Sequence, residues 1–306
     1  MMRWLLSSLG YLLYTLVVLI CLLWWQFPAD TVKTWLEHQL DTETPGYVWK
    51  IETLKPVLPG RIHAGGITIT RIREKMPLVR IEQLDLVPDP ARLLSENKLI
   101  RYSMRLFGGT AHGRLVTTTG FRQFDCRGKF DTLQIKQMAA LRKRLQRQIT
   151  GIAAGNFSWH RRRRSMEKQS IAGKVVIRNG ILPLRKEVLG LAELSYSTIE
   201  TPFTYREGSW IIEKGKFVSP KMTAAFNGRL EPADNIADFR LQFTGRLTPR
   251  SELFTGGGNN RMAGMIRSFL KDGSLPFTLS GTAAEPGIHF ANGLSEAMNR
   301  LQGNRR

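Results

Sequence analysis

The side chains of this 306-residue chain that could do chemistry are few and scattered. Five histidines, His38, His63, His112, His160 and His289, stand apart. None forms the H-x-x-x-H or H-E-x-x-H pair that would set two imidazoles on one helical face around a metal. Cys126 has no second thiol nearby for a zinc site or a redox pair. Cys21 lies in a long apolar stretch, so no disulfide is expected. Asp85 and Asp89 bracket Pro88, a setting that forms turns more readily than a general acid–base dyad. Gly256–Gly258 lacks the G-K-[ST] of a phosphate-cradling loop, and there is no G-x-S-x-G elbow. This inventory predicts no catalysis, no cofactor and no metal. Function should rest on binding or assembly.

The elements that would position such a function begin with an anchor. Trp4 to Trp25 is an uncharged run of 22 residues. As a helix it would span roughly 33 Å, close to the hydrocarbon thickness of a bilayer. Trp4, Leu5, Leu16, Trp24 and Trp25 are its expected membrane-contacting residues, the last two at the depth indole rings favour. A cleaved signal peptide is the competing reading. The apolar core is longer than such peptides carry, and WWQFPADTVKTW offers no small-x-small cleavage pair. Arg3 precedes the run, while Asp30, Lys33 and Glu37 follow it. The expectation is a single-pass protein with a cytoplasmic N-terminus and the bulk of the chain exported.

Composition bounds the remainder. Hydrophobic residues make up 42% and charged residues 23%, ordinary values for a globular protein. The formal net charge is +20 and the sequence pI is about 10.5. That balance normally raises nucleic-acid binding. An exported domain meets little nucleic acid, so phospholipid, lipopolysaccharide or an acidic protein is the partner expected on a basic face. The same residues would also serve as a solvated face. The run His160–Arg164, with Arg161 to Arg164 at its heart, reads as a solvated loop.

From Tyr47 the polarity pattern takes a period of two. Met222–Leu230, Phe239–Leu247 and Leu275–Gly281 alternate most clearly, each with one apolar and one polar face, the signature of an antiparallel sheet. Ile67–Ile72, Leu78–Val87, Arg101–Phe107, Gly113–Thr118, Cys126–Ile135, Gly173–Ile177 and Trp210–Val218 repeat this less cleanly. Asp30–Leu40 reads as an amphipathic helix within a 29–46 linker. Ile135–Ile149 and Asn260–Lys271 carry three- and four-residue apolar spacing and are expected as helices covering a sheet end or edge. A glycine recurs on the apolar face in phrases such as FNGRLEP and FTGRLTP, which predicts a bulge, a tight bend or a close backbone approach. The expected divisions are an anchor at 1–28, the linker, a β-rich domain at 47–290 and a flexible tail at 291–306. Phe226, Phe239, Leu241, Phe243, Phe277 and Leu279 form the candidate interaction face. A closed core and an open groove demand the same residues there, so both stay open.

Gly173–Leu182, Thr201–Phe203, Gly228–Pro232, Gly245–Pro249 and Leu275–Pro286, with the N-terminal anchor, carry a cadence that resembles the type II secretion system protein N (GspN) family in its atypical form. More distantly it resembles the AsmA-like proteins. The first resemblance implies an inner-membrane subunit facing the periplasm and contacting other secretion subunits. The second implies a curved sheet whose apolar face forms a groove for acyl chains. The expected fold is therefore mainly β: a transmembrane helix, then a long curved antiparallel sheet, as an AsmA-like groove or open sandwich, with two short amphipathic helices.

Overall fold

A computed structural model describes residues 28–57, 60–72, 77–92, 95–118, 123–162, 169–233, 235–254, 260–290 and 293–294, with six scattered positions between 11 and 22. Trp4, Leu5, Leu16, Trp24 and Trp25 lie outside the described residues, as does the end of the chain from 295. Among the described residues no helix is long and apolar enough to cross a membrane, a statement that does not extend to membrane-crossing strands. The protein is mainly β, with fourteen antiparallel strands among the described residues that follow one another in chain order. It divides into two compact units, Met1–Val87 and Pro88–Arg306.

The first unit joins helix α1 (Ala29–Glu43) to a meander of β1 (Tyr47–Val57), β2 (Arg61–Arg71) and β3 (Pro77–Pro88). Val32 and Leu36 of α1 pack on a core of Ile51, Leu54, Ala64 and Ile67. Glu37 and Asp41, four residues apart and so on one helical face, meet the edge of β1. The N–H of Ile51 donates to Glu37 Oε1 at 2.6 Å and the N–H of Trp49 to Asp41 Oδ1 at 2.8 Å. Alternate N–H groups along β1 are thus satisfied by a helix, which blunts an edge that would otherwise template pairing with another chain. Replacing Glu37 and Asp41 with alanine should cost about 1–2 kcal/mol at each site and promote self-association in sedimentation velocity. A double variant as stable and as monomeric as wild type would remove this role from α1.

The second unit is an eleven-strand meander: β4 (Asn97–Leu106), β5 (Gly109–Thr118), β6 (Gln123–Gln134), β7 (Ile152–Arg162), β8 (Ser170–Val188), β9 (Leu191–Arg206), β10 (Ser209–Val218), β11 (Met222–Glu231), β12 (Arg240–Pro249), β13 (Leu275–Thr282) and β14 (Pro286–Phe290). Its register shifts between Phe130 and Leu133 and between Ile212 and Gly215. Thr132 (φ 56°) and Lys214 (φ 56°) sit in these shifts with left-handed backbone, as bulges that increase local twist. The sheet curls enough for distant strands to meet. Arg147 Nη2 donates to the Ala284 carbonyl at 2.8 Å, and Arg185 Nη1 lies 2.8 Å from Glu285 Oε1. At about 4.8 Å per strand, a flat sheet would hold β8, which carries Arg185, and β13 roughly 24 Å apart. The 19-residue β8 and 16-residue β9 make a long hairpin whose tip residue Leu189 joins Met222, Leu247, Leu275, Phe290 and Leu294 in one buried cluster with Ile266.

Several expectations are corrected here. The helix expected over Ile135–Ile149 is a 3-10 turn, Ile135–Gln137, followed by the seven-residue α2 (Ala139–Leu145); Gln146 in the left-handed region (φ 52°) ends it. The helix expected over Asn260–Lys271 is α3 (Asn260–Ser268), after which Phe269 and Leu270 bond back only three residues. Neither lies along a sheet edge; each connects two strands and packs at a sheet end, and α1 is the helix that guards an edge. His160 to Arg162 belong to β7 rather than a loop, because His160 continues the alternation set by Phe157 and Trp159, while Arg163 and Arg164 lie outside the described residues. Asp89 accepts from the Ala91 N–H at 3.1 Å, as a turn former does. Asp85 instead sits inside β3, paired with His63 at 2.9 Å, and that hydrogen bond holds its carboxyl below the usual carboxylate range.

Candidate functional site

The alternation of each strand in the second unit puts one residue in two on a common inner face, and register decides what stands beside it. One unbroken row crosses all eleven strands: Tyr102, Gly113, Gly128, Phe157, Gly173, Phe203, Ile212, Gly228, Phe243, Leu279 and Ile288, each opposite the next. A neighbouring row places Phe130 against Gly155, and Gly215, Phe226, Gly245, Phe277 and Phe290 in succession. Aromatic residues and glycines therefore face one another across strands.

The pairing has a steric reason. A methyl group built on Gly128, Gly155, Gly173, Gly215, Gly228 or Gly245 would come within 2.8 Å of a ring carbon of Phe157, Phe130, Phe203, Phe226, Phe243 or Phe277, respectively. Each ring leans sideways over the glycine of the next strand. It covers that backbone from water, and the glycine gives the ring a seat. Of the three roles expected for these glycines, close approach is the one found at all six. Gly215 also follows the bulge at Lys214. The outcome is an apolar face of low relief, because rings that lie down do not project.

Five of the six expected face residues come together on this face: Phe226, Leu241, Phe243, Phe277 and Leu279, on β11–β13. Phe239 does not lie on a strand. It follows a 3-10 turn at Ile236–Asp238 and precedes β12, its carbonyl accepting from the Ala283 N–H at 2.9 Å. The alternatives of core and groove are both present, at different places. Met222, Leu247, Leu275 and Phe290 are closed off beneath Leu189 and Ile266, with Phe277 packed against them. Phe226, Leu230, Leu241 and Leu279 are only half-buried, as are Phe157, Trp159, Phe203, Tyr205 and Trp210 on β7, β9 and β10.

These last residues escaped the sequence reading. Their signal was present in AAGNFSWH and TPFTYR, but polar residues dilute the alternation there. Ring contacts link them: edge-on from Phe124 to Trp159 at 4.7 Å between ring centroids and from Phe203 to Trp210 at 5.5 Å, and tilted from Tyr205 to Trp210 at 5.0 Å. Polar atoms on the face are few. Burial pushes the Tyr102 hydroxyl and the Cys126 thiol above their ordinary values, so both stay neutral; the thiol lies 3.6 Å from the hydroxyl. The buried Trp159 Nε1 has no hydrogen-bond partner among the described residues. Such a surface can solvate hydrocarbon. Comparison of the chain with family models, with curated proteins and with solved structures gives no match.

Proposed function

We propose that this chain is a non-catalytic, membrane-tethered protein whose inner sheet face holds the acyl chain of a lipid. The observation that carries this reading is the half-buried aromatic–glycine face of the second unit, apolar and of low relief, open beside a closed core. Contiguous apolar surface left open in this way marks a binding site in most soluble domains. The uncharged run Trp4–Trp25 and the AsmA-like resemblance support the same reading: an inner-membrane tether with a cytoplasmic N-terminus, lipid as partner and a periplasmic body.

A second reading, an interaction subunit of a type II secretion system, draws on the GspN resemblance and on β14. That five-residue strand pairs with β13 on one side and with no strand on the other among the described residues, leaving an edge for strand addition by a partner subunit.

Native mass spectrometry of the full chain, extracted in a mild detergent, separates the two. Wild type should carry phospholipid. Leu241→Asn with Leu279→Asn, two half-buried positions, should stay folded by circular dichroism and lose about tenfold or more of it. A lipid-free chain that captures secretion subunits supports the second reading. Lipid retained in full by the double variant would overturn the first.

A further inference from the structure

The outer face of β4–β6 carries a different arrangement. Arg101, Arg114 and Arg127 stand directly opposite one another on three adjacent strands. Beside this row His112 faces Lys129, and together they line one basin of about 810 Å³. Directly opposed residues have Cβ atoms about 5 Å apart, so the three guanidinium stems fall within roughly 10 Å. Like charges set opposite each other in a sheet are destabilising. Among the described residues, Asp125 is the one carboxylate paired with this group, 3.4 Å from Arg127 Nε, and no ion pair holds Arg101, Arg114 or Lys129.

A merely solvated basic face would not need this alignment. On β11 and β12 of the same sheet, Arg229 stands opposite Gln242, Arg246 opposite Ala225 and Arg240 opposite Glu231. There each cation faces a neutral or acidic residue. On β4–β6 the register does the opposite, and repulsion that the fold tolerates in the absence of a ligand becomes attraction when an anion sits between the side chains. Guanidinium groups suit phosphate because each can donate two parallel hydrogen bonds.

We propose that this basin binds a ligand carrying two linked phosphate groups, with Arg101 and Arg114 as its principal donors and Lys129 and Arg127 beside them. Four cations lining one basin suit the charge of a diphosphate better than that of a single phosphate. These cationic side chains alternate along their strands with Tyr102, Gly113 and Gly128, so they face away from the aromatic row, and the site does not depend on what that row holds.

The test is isothermal titration calorimetry of the full chain in detergent, with inorganic pyrophosphate and, separately, with geranyl diphosphate, a short-chain lipid diphosphate, below its micellar concentration. Arg101→Gln with Arg114→Gln should weaken binding about a hundredfold, at about tenfold per arginine. Arg229→Gln with Arg246→Gln, the same loss of charge elsewhere, should leave it unchanged. Without ligand, the first double variant should melt at or above the wild-type temperature, because it relieves like-charge repulsion. Tighter pyrophosphate binding identifies a soluble diphosphate as the source, and tighter geranyl diphosphate binding a lipid headgroup; either supports the site. No binding of either probe by wild type, or equal weakening in both double variants, would overturn it.

Discussion

Leu275→Ala is expected to destabilise the second unit by about 3–5 kcal/mol, the upper range for truncating a buried leucine. Leu275 is 0% exposed, and its side chain sits where three elements converge. It stands opposite Leu247 on β12, and it shares a cluster with Ile266 of α3 and Leu189 at the tip of the long hairpin. The surroundings cannot collapse into the cavity without moving that tip, because Leu189 packs in the same cluster as Leu275. Urea denaturation should show the loss as a lower midpoint. Hydrogen exchange should quicken first around Val188–Leu191, ahead of β4–β6. Leu230→Ala, at a half-buried position, should cost well under half as much. A Leu275→Ala loss below about 1 kcal/mol would mean that the hairpin tip does not seal this core.

Gly228→Ala carries the second large effect, about 2–3 kcal/mol from overpacking. A methyl group there would lie 2.6 Å from Phe243 Cδ1 and 2.7 Å from Phe243 Cα, and it would press on the Gln242 carbonyl oxygen. Ring and backbone clash together, so rotating the ring gives only partial relief. Phe243→Ala alone should cost about 3–5 kcal/mol, since Phe243 is a buried ring. Combining the two gives the decisive number. If the ring occupies the glycine's place, part of the alanine clash vanishes with it. The double variant should then be more stable than the sum of the single losses predicts, by about 1 kcal/mol. Simple additivity would show that ring and glycine do not act as a pair.

How much of this was legible depended on whether each strand spoke for itself. Met222–Leu230 and Leu275–Gly281 alternate cleanly between apolar and polar residues, and the strands found there extend them by one residue. Strands β7 and β9 were hidden because their inner positions include Gly155 and Thr201, which give no apolar signal. The basic end of β7 hid for a related reason: its exposed residues are so strongly charged that they mask the alternation of Phe157 and Trp159. The overlong helix at Ile135–Ile149 kept its apolar spacing past Gln146, where the backbone turns left-handed, an event that side-chain periodicity does not record. For the site, one half was readable and the other was not. Recurrent glycines on an apolar face announced a close approach. Which ring makes it is a cross-strand fact, fixed by register, and a single strand carries no record of its neighbour's alignment.

The ring-over-glycine contact has a consequence for how the molecule comes apart. Each ring takes its seat on the adjoining strand alone, so cohesion along this face passes from neighbour to neighbour, as it does in solenoid arrays. A body joined in that manner can lose or gain a hairpin without the remainder being rewritten. The β14 end is the exception, because Phe290 is sealed there with Leu275 beneath Leu189 and Ile266, so the series should open elsewhere first, like a row of interlocked tiles clamped at the last one laid.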